Sequence, residues 1–324
     1  MVHAVRFHEA GGPEVLCWEE VEVPSPGPGE VKVRHDAVGL NFIDVYHRVG
    51  LYPLTLPSGI GMEGAGVVTE VGPNVTTLAV GDRIAYATMP LGAYAEERVM
   101  PASRVTKLPD EIDDRTAAAM MLQGMTAQYL LRQTFRVEPG QTILFHAAAG
   151  GVGLIACQWA KHLGATVIGT VGSPEKAELA RAHGCDHTIL YREEDVAARV
   201  REITHGEGVA VAYDSVGKDT HLASLDCLRP RGLLVVFGNA SGPVDSLNLG
   251  LLAQKGSLYV TRPTLMTYTA ADEDLQATAK DLLDVVTSGA VKITVNQSYP
   301  LQEAAQAHRD LEDRKTTGST IFEV

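Results

Sequence analysis

At 324 residues the chain has room for about two domains, and 45% hydrophobic with 21% charged residues is ordinary for a soluble globular protein. A formal net charge of −13 with no run of Lys and Arg argues against nucleic acid as a main partner, and no apolar run approaches the ~18 residues that a membrane span needs. Cys17, Cys157, Cys185 and Cys227 lack C-x-x-C or regular spacing and the N-terminus lacks an apolar signal core, which predicts reduced thiols in a cytoplasmic protein.

Residues 1–121 read as a β-rich domain. Strands are expected at Val2–Phe7, Leu16–Val23, Glu30–Val38, Gly64–Val71 and Arg83–Tyr86, separated by Gly- and Pro-rich turns. A short helix at Ile43–Val49 ends at Gly50. Residues 122–267 alternate strand and helix. Thr142–His146, Thr166–Val171, His187–Tyr191, Val209–Asp214, Leu233–Gly238 and Ser257–Thr261 are the strands. Helices are expected at Val152–Leu163, Pro174–His183, Glu193–Ile203 and Lys218–Leu228, with Ser173 as an N-cap before a proline. That rhythm predicts an α/β fold with a doubly wound parallel sheet. Residues 268–324 break it with a helix at Ala271–Ser288, a strand at Val291–Val295, a helix at Leu301–Leu311 and a strand at Ser319–Phe322. This tail is expected to return to the first domain.

The stretch QTILFHAAAGGVG, Gln141–Gly153, carries the clearest chemistry. A strand runs into a small-residue turn with Gly150, Gly151 and Gly153, and a helix with apolar residues at helical spacing follows. Backbone can approach a pyrophosphate there, and the N–H groups of the first helical turn stabilise its charge. Ala148 stands at the first glycine of the usual pattern, giving A-x-G-x-x-G. About 20 residues on, where an acid would bond the ribose 2′-OH of NAD, the chain reads Gly172-Ser173 and then Lys176. A hydroxyl and a cation, with the Tyr191 phenol at the end of the next strand, suit a 2′-phosphate, so NADPH is the expected cofactor.

No C-x-x-C or H-E-x-x-H zinc motif is present, and His146 beside the glycine turn reads as a packed core residue. No nucleophile motif is present. The chemistry left is hydride transfer by the nicotinamide itself.

The segments HEAGGPEVL (His8–Leu16), VGLNFIDVYHRVGLYP (Val38–Pro53), GMEGAGVV (Gly61–Val68), HAAAGGVGLIACQWAK (His146–Lys161), DSVG (Asp214–Gly217), FGNASG (Phe237–Gly242) and QKGSLYVTRPTL (Gln254–Leu265) resemble the medium-chain dehydrogenase/reductase superfamily. Specifically, they resemble its zinc-free NADPH quinone oxidoreductases of the zeta-crystallin type, bacterial ones most of all. Asn41 stands where zinc-dependent relatives carry a catalytic cysteine, Met62 stands where they carry a histidine, and the four-cysteine zinc lobe is missing.

The resemblance implies a Rossmann domain plus a GroES-like catalytic domain, with NADPH bound. It implies that Ala149, Gly150, Gly151 and Val152 hold the pyrophosphate, that Ser173, Lys176 and Tyr191 surround the 2′-phosphate, and that Arg314 reaches it from the tail. Asn41, Thr126, Phe237, Gly238, Asn239 and Val260 would line the nicotinamide and its ribose, and Val216 would sit near the adenine. Reduction of a quinone leaves charge on a carbonyl oxygen, for which Asn41, Tyr46 and Tyr52 are the candidate donors. The competing substrates are α,β-unsaturated carbonyls, and the competing class is a non-catalytic NADPH- or RNA-binding protein. A homodimer is expected through the sheet edge at GSLYVTRP.

Overall fold

The computed structural model describes residues 1–324. Its strands are β1 Val2–Phe7, β2 Cys17–Val21, β3 Glu30–Leu40, β4 Ser58–Gly59, β5 Glu63–Val71, β6 Arg83–Ala87, β7 Glu97–Pro101 and β8 Thr106–Lys107. Then come β9 Thr142–Phe145, β10 Thr166–Val171, β11 His187–Leu190, β12 Val209–Asp214, β13 Leu228–Val236, β14 Tyr259–Thr261, β15 Val295–Pro300 and β16 Ser319–Glu323. The chain divides into two compact units, Met1–Met125 with Ala270–Leu283 and Ile293–Val324, and Thr126–Thr269 with Asp284–Lys292.

The first unit is organised by β3. Val31, Val33, His35 and Ala37 are buried on one face while Lys32, Arg34 and Asp36 are not, the period-2 signature of a half-buried strand. Its 11 residues pair antiparallel with β5, β7 and β16. The larger sheet runs β15-β16-β3-β5-β6-β8, and β2-β1-β4 forms a smaller one. Phe322 from the tail is fully buried in the core of this unit, its ring 4.7 Å from that of Tyr94, and burial of such a side chain stabilises by about 1.5–3 kcal/mol. At the crossing of β3 and β5 a Cβ on Gly66 would stand 2.0 Å from the Arg34 carbonyl oxygen, so only glycine fits. The expected strand Val291–Val295 lies elsewhere. Val291 is a buried anchor outside the sheet, and the strand is Val295–Pro300, a polar edge parallel to β16.

The second unit holds six parallel strands in the order β11-β10-β9-β12-β13-β14. From β9 the order runs outward in both directions, so a topological switch point lies between β9 and β12. Ile143, Leu144 and Phe145 of β9 are all buried, as a central parallel strand requires. Two helices are shorter than their apolar spacing predicts. Val196–Ile203 begins late because Asp195 Oδ1 accepts the Ala198 N–H at 3.0 Å and caps it there. His221–Cys227 begins three residues after Lys218 and is followed directly by β13, which begins at Leu228 rather than Leu233. No helix is long and apolar enough to cross a membrane.

Candidate functional site

In the second unit, β9 ends at Phe145 and the helix Gly151–His162 begins after N-cap Gly150. Ala147 turns the chain with φ +53°, and its carbonyl accepts the Gly150 N–H at 2.9 Å. The helix then packs tightly on its own turn, since a Cβ on Gly153 would meet the Ala147 oxygen at 2.5 Å. Ala149 is buried, whereas Gly150, Gly151 and Val152 are half-buried. The first-turn amides there have no intrahelical acceptor, which makes this a fitting cradle for a pyrophosphate.

Beyond β10, Ser173 caps the helix Pro174–Ala182 by accepting the Lys176 N–H at 3.4 Å. The Tyr191 hydroxyl lies beside Gly172, 2.8 Å from where a Cβ would stand. Ser173, half-buried Lys176 and exposed Tyr191 thus gather around a strand end with no carboxylate of its own, and the donor set fits a 2′-phosphate. At the end of β12, Asp214 accepts the N–H groups of Val216 and Gly217 at 2.9 and 3.0 Å and shapes their turn. Gly238 abuts that turn, where a Cβ would meet the Ser215 oxygen at 2.4 Å. Phe237 packs its ring 5.7 Å from Phe145, Asn239 is half-buried, and Val260 lies on edge strand β14. Thr126 is buried in the helix Met121–Tyr129.

His146 is a hydrogen-bonded core residue. Ser224 donates to Asp214 Oδ2 at 2.8 Å, so His146 Nε2–H donates to Ser224 Oγ at 2.9 Å. Nδ1 is then the acceptor for the Thr170 hydroxyl at 3.0 Å. Burial lowers the His146 pKa, against the pull of Asp214, and keeps the ring neutral.

In the first unit, Asn41 follows β3 directly and N-caps the helix Phe42–Arg48, whose Asp44 reaches back to the Asn41 N–H at 2.9 Å. The Asn41 side chain, 4% exposed, donates through Nδ2 to Glu63 Oε2 at 2.6 Å and accepts from Gln123 Nε2 at 3.1 Å. Glu63 also takes the Leu122 N–H at 2.8 Å. Burial pushes the Glu63 carboxyl up to about 8 against these hydrogen bonds, with Asp44 adding to the rise. Burial likewise lifts Asp44 to about 7, opposed by the Asn41 N–H and the Tyr94 hydroxyl.

Tyr46 is buried, its ring 5.5 Å from Phe42 and 5.4 Å from Tyr52, which is half-buried. Arg314 is an exposed residue at φ +61° between the helix Ala304–Glu312 and β16. Asn41, Tyr46 and Tyr52 therefore lie close together in one unit, and the turn, Ser173, Lys176 and Tyr191 belong to the other.

Glu63, Asp44 and Gln123 escaped the sequence reading. The one local signal was Asn-x-x-Asp at Asn41–Asp44, which is a capping pattern, while Glu63 stood in the Gly61-Met62-Glu63 motif. No group of three or more His, Cys, Asp or Glu side chains is placed to hold a metal ion.

Comparison with known proteins agrees with this geometry. Residues 27–110 match the alcohol dehydrogenase GroES-like domain, and residues 151–286 match the domain described as zinc-binding dehydrogenase. The chain is similar to a quinone oxidoreductase of Pseudomonas aeruginosa, 59% identical with 99% of each chain covered. It is also similar to the crystal structure of Escherichia coli quinone oxidoreductase complexed with NADPH, 50% identical with a TM-score of 0.98 over 99% of this chain and 100% of that one. A 2-haloacrylate reductase of Burkholderia sp is 50% identical, again over 99% of each chain.

Proposed function

We infer the activity from family membership: the chain belongs to the quinone oxidoreductases of the medium-chain dehydrogenase/reductase superfamily. It is an NADPH-dependent oxidoreductase that reduces quinones by hydride transfer without a metal ion. One pairing carries this reading. A dinucleotide turn whose ribose end suits a 2′-phosphate shares the chain with a unit that holds Asn41 and Met62 at the family's zinc-ligand positions.

Bound NADPH supplies the hydride. Ala149–Val152 receive its pyrophosphate, and Ser173, Lys176 and Tyr191 its 2′-phosphate. Thr126, Phe237, Gly238, Asn239 and Val260 line the nicotinamide end, and Val216 flanks the adenine. Asn41, Tyr46 and Tyr52 supply hydrogen bonds to the carbonyl oxygen that gains negative charge, in place of a Lewis acid. A proton from solvent or from a tyrosine completes the hydroquinone.

A second reading, reduction of α,β-unsaturated acids or carbonyls, draws support from the haloacrylate reductase similarity. Both are tested by NADPH and NADH consumption by chelator-treated protein offered naphthoquinone, phenanthrenequinone, crotonyl-CoA and 2-chloroacrylate. Quinone turnover that survives chelation and is weak with NADH is the expected result. Turnover of the alkenes alone would transfer the assignment to the second reading.

We assign the protein to the cytoplasm on its free thiols, a point that cell fractionation tests, and we assign it a homodimeric state. Edge strand β14 exposes Tyr259 at 61%, and an uncovered strand edge of this kind tends to pair. Sedimentation equilibrium should give a dimer of the 34.6 kDa chain, and Tyr259→Lys should give monomer. A wild-type monomer would refute the assignment.

A further inference from the structure

We propose that Glu63, Gln123 and Ser319 are positioning residues that fix which way round the Asn41 carboxamide faces. The inference rests on the reading of Asn41 as a contact for the reactants. It draws on four buried side chains from distant parts of the sequence. Ser319 Oγ donates to Gln123 Oε1 at 2.7 Å, Gln123 Nε2 donates to Asn41 Oδ1 at 3.1 Å, and Asn41 Nδ2 donates to Glu63 Oε2 at 2.6 Å.

Chemistry sets the direction of this chain. In its ionised form, populated above about pH 8, Glu63 only accepts; the Leu122 N–H is aimed at Oε1, and the Asn41 carboxamide lies 2.6 Å from Oε2. Asn41 must therefore turn its nitrogen to Glu63, which leaves its oxygen for Gln123. Gln123 must then turn its own oxygen to the Ser319 hydroxyl. Space is made for the carboxylate by Gly39, where a Cβ would stand 2.3 Å from Glu63 Oε2. Of its two N–H donors the Asn41 amide keeps one for a ligand, while its oxygen accepts from Gln123 and, in the capping box, from the Asp44 N–H. Turning the amide over would exchange its nitrogen and oxygen and offer an acceptor where the reaction needs a donor.

This design has a direct test, because the two ends of the chain can be exchanged. In Glu63→Gln alone, an amide faces two donors. In Gln123→Glu alone, two carboxylates compete for Asn41. The double variant Glu63→Gln/Gln123→Glu satisfies every group in reverse. The new glutamine accepts from Leu122 and donates to Asn41 Oδ1, and the new glutamate accepts from Asn41 Nδ2 and from Ser319.

Thermal melts, NADPH affinity by fluorescence, and kcat and KM with naphthoquinone should be measured for all four proteins. The expected pattern is a lowered Tm in both single variants and a Tm near wild type in the double variant. In the double variant kcat should still fall about a hundredfold, the loss of one misdirected donor to developing charge. Recovery of kcat together with Tm would show a merely structural network and overturn the proposal. Failure of the Tm to recover would overturn the direction assigned to the chain. Wild-type turnover in the same assay tests the quinone reading separately, and melts and NADPH affinity report on the chain whichever acceptor is used.

Discussion

Arg48→Met is expected to destabilise the protein by about 1–3 kcal/mol, the cost of leaving buried hydrogen-bonding groups without their partner. Arg48 closes the helix Phe42–Arg48 with a side chain only 1% exposed. Its guanidinium bonds Glu312 through Nη2, at 2.9 Å to each carboxylate oxygen. Nε donates to the Gly11 carbonyl at 3.1 Å and Nη1 donates to His308 Nδ1 at 3.0 Å.

With Nδ1 an acceptor, His308 carries its proton on Nε2 and donates it to the Tyr94 oxygen at 3.3 Å, while the Tyr94 hydroxyl donates to Asp44. Burial, and then the Arg48 charge, push the His308 pKa down to about 3, so the ring stays neutral and the chain of donors keeps one direction. Methionine fills the volume yet leaves Gly11 and His308 without their donor. Urea unfolding reads the loss. Glu312→Met should cost a similar amount by leaving the guanidinium uncompensated, and the double variant should cost less than the two losses added. A single-variant loss below about 1 kcal/mol would show that the network contributes little.

Arg48 marks a limit of reading from sequence. A cation in the last turn of a helix complements the macrodipole and normally faces water. What this one meets is Glu312, which is 264 residues away. Local signals fared better. Val2–Phe7, Thr166–Val171 and Val209–Asp214 form the expected strands to the residue, because apolar patterning and flanking turns agree there.

β7 and β4 went unread for a physical reason. ERVMP is short and charged, Ser58–Gly59 has two residues, and each exists because a longer strand, β3 or β1, offers it a partner. At the site the same division holds. The glycine turn and Ser173 announce themselves within a few residues, whereas Glu63 and Gln123 meet Asn41 across 22 and 82 residues. Only the fold makes them neighbours.

The cofactor end of the site offers the second large effect. Ser173→Asp should lower kcat/KM for NADPH by about two to three orders of magnitude, as like charges brought together cost several kcal/mol. It should leave NADH no worse, because the new carboxylate stands where a Rossmann acid bonds the ribose 2′-OH. The substitution suits this position because Ser173 has a second role as N-cap of Pro174–Ala182. Aspartate caps as well as serine, and its charge is favourable at a helix N-terminus. Tm should therefore hold while cofactor preference reverses. Lys176→Ala removes one attraction without adding a repulsion and should show a smaller loss in the same direction. Steady-state kinetics with both cofactors, beside a thermal melt, separates the possibilities. An equal fall for NADPH and NADH would place Ser173 away from the 2′-phosphate, and a fall in Tm would trace the effect to the helix instead.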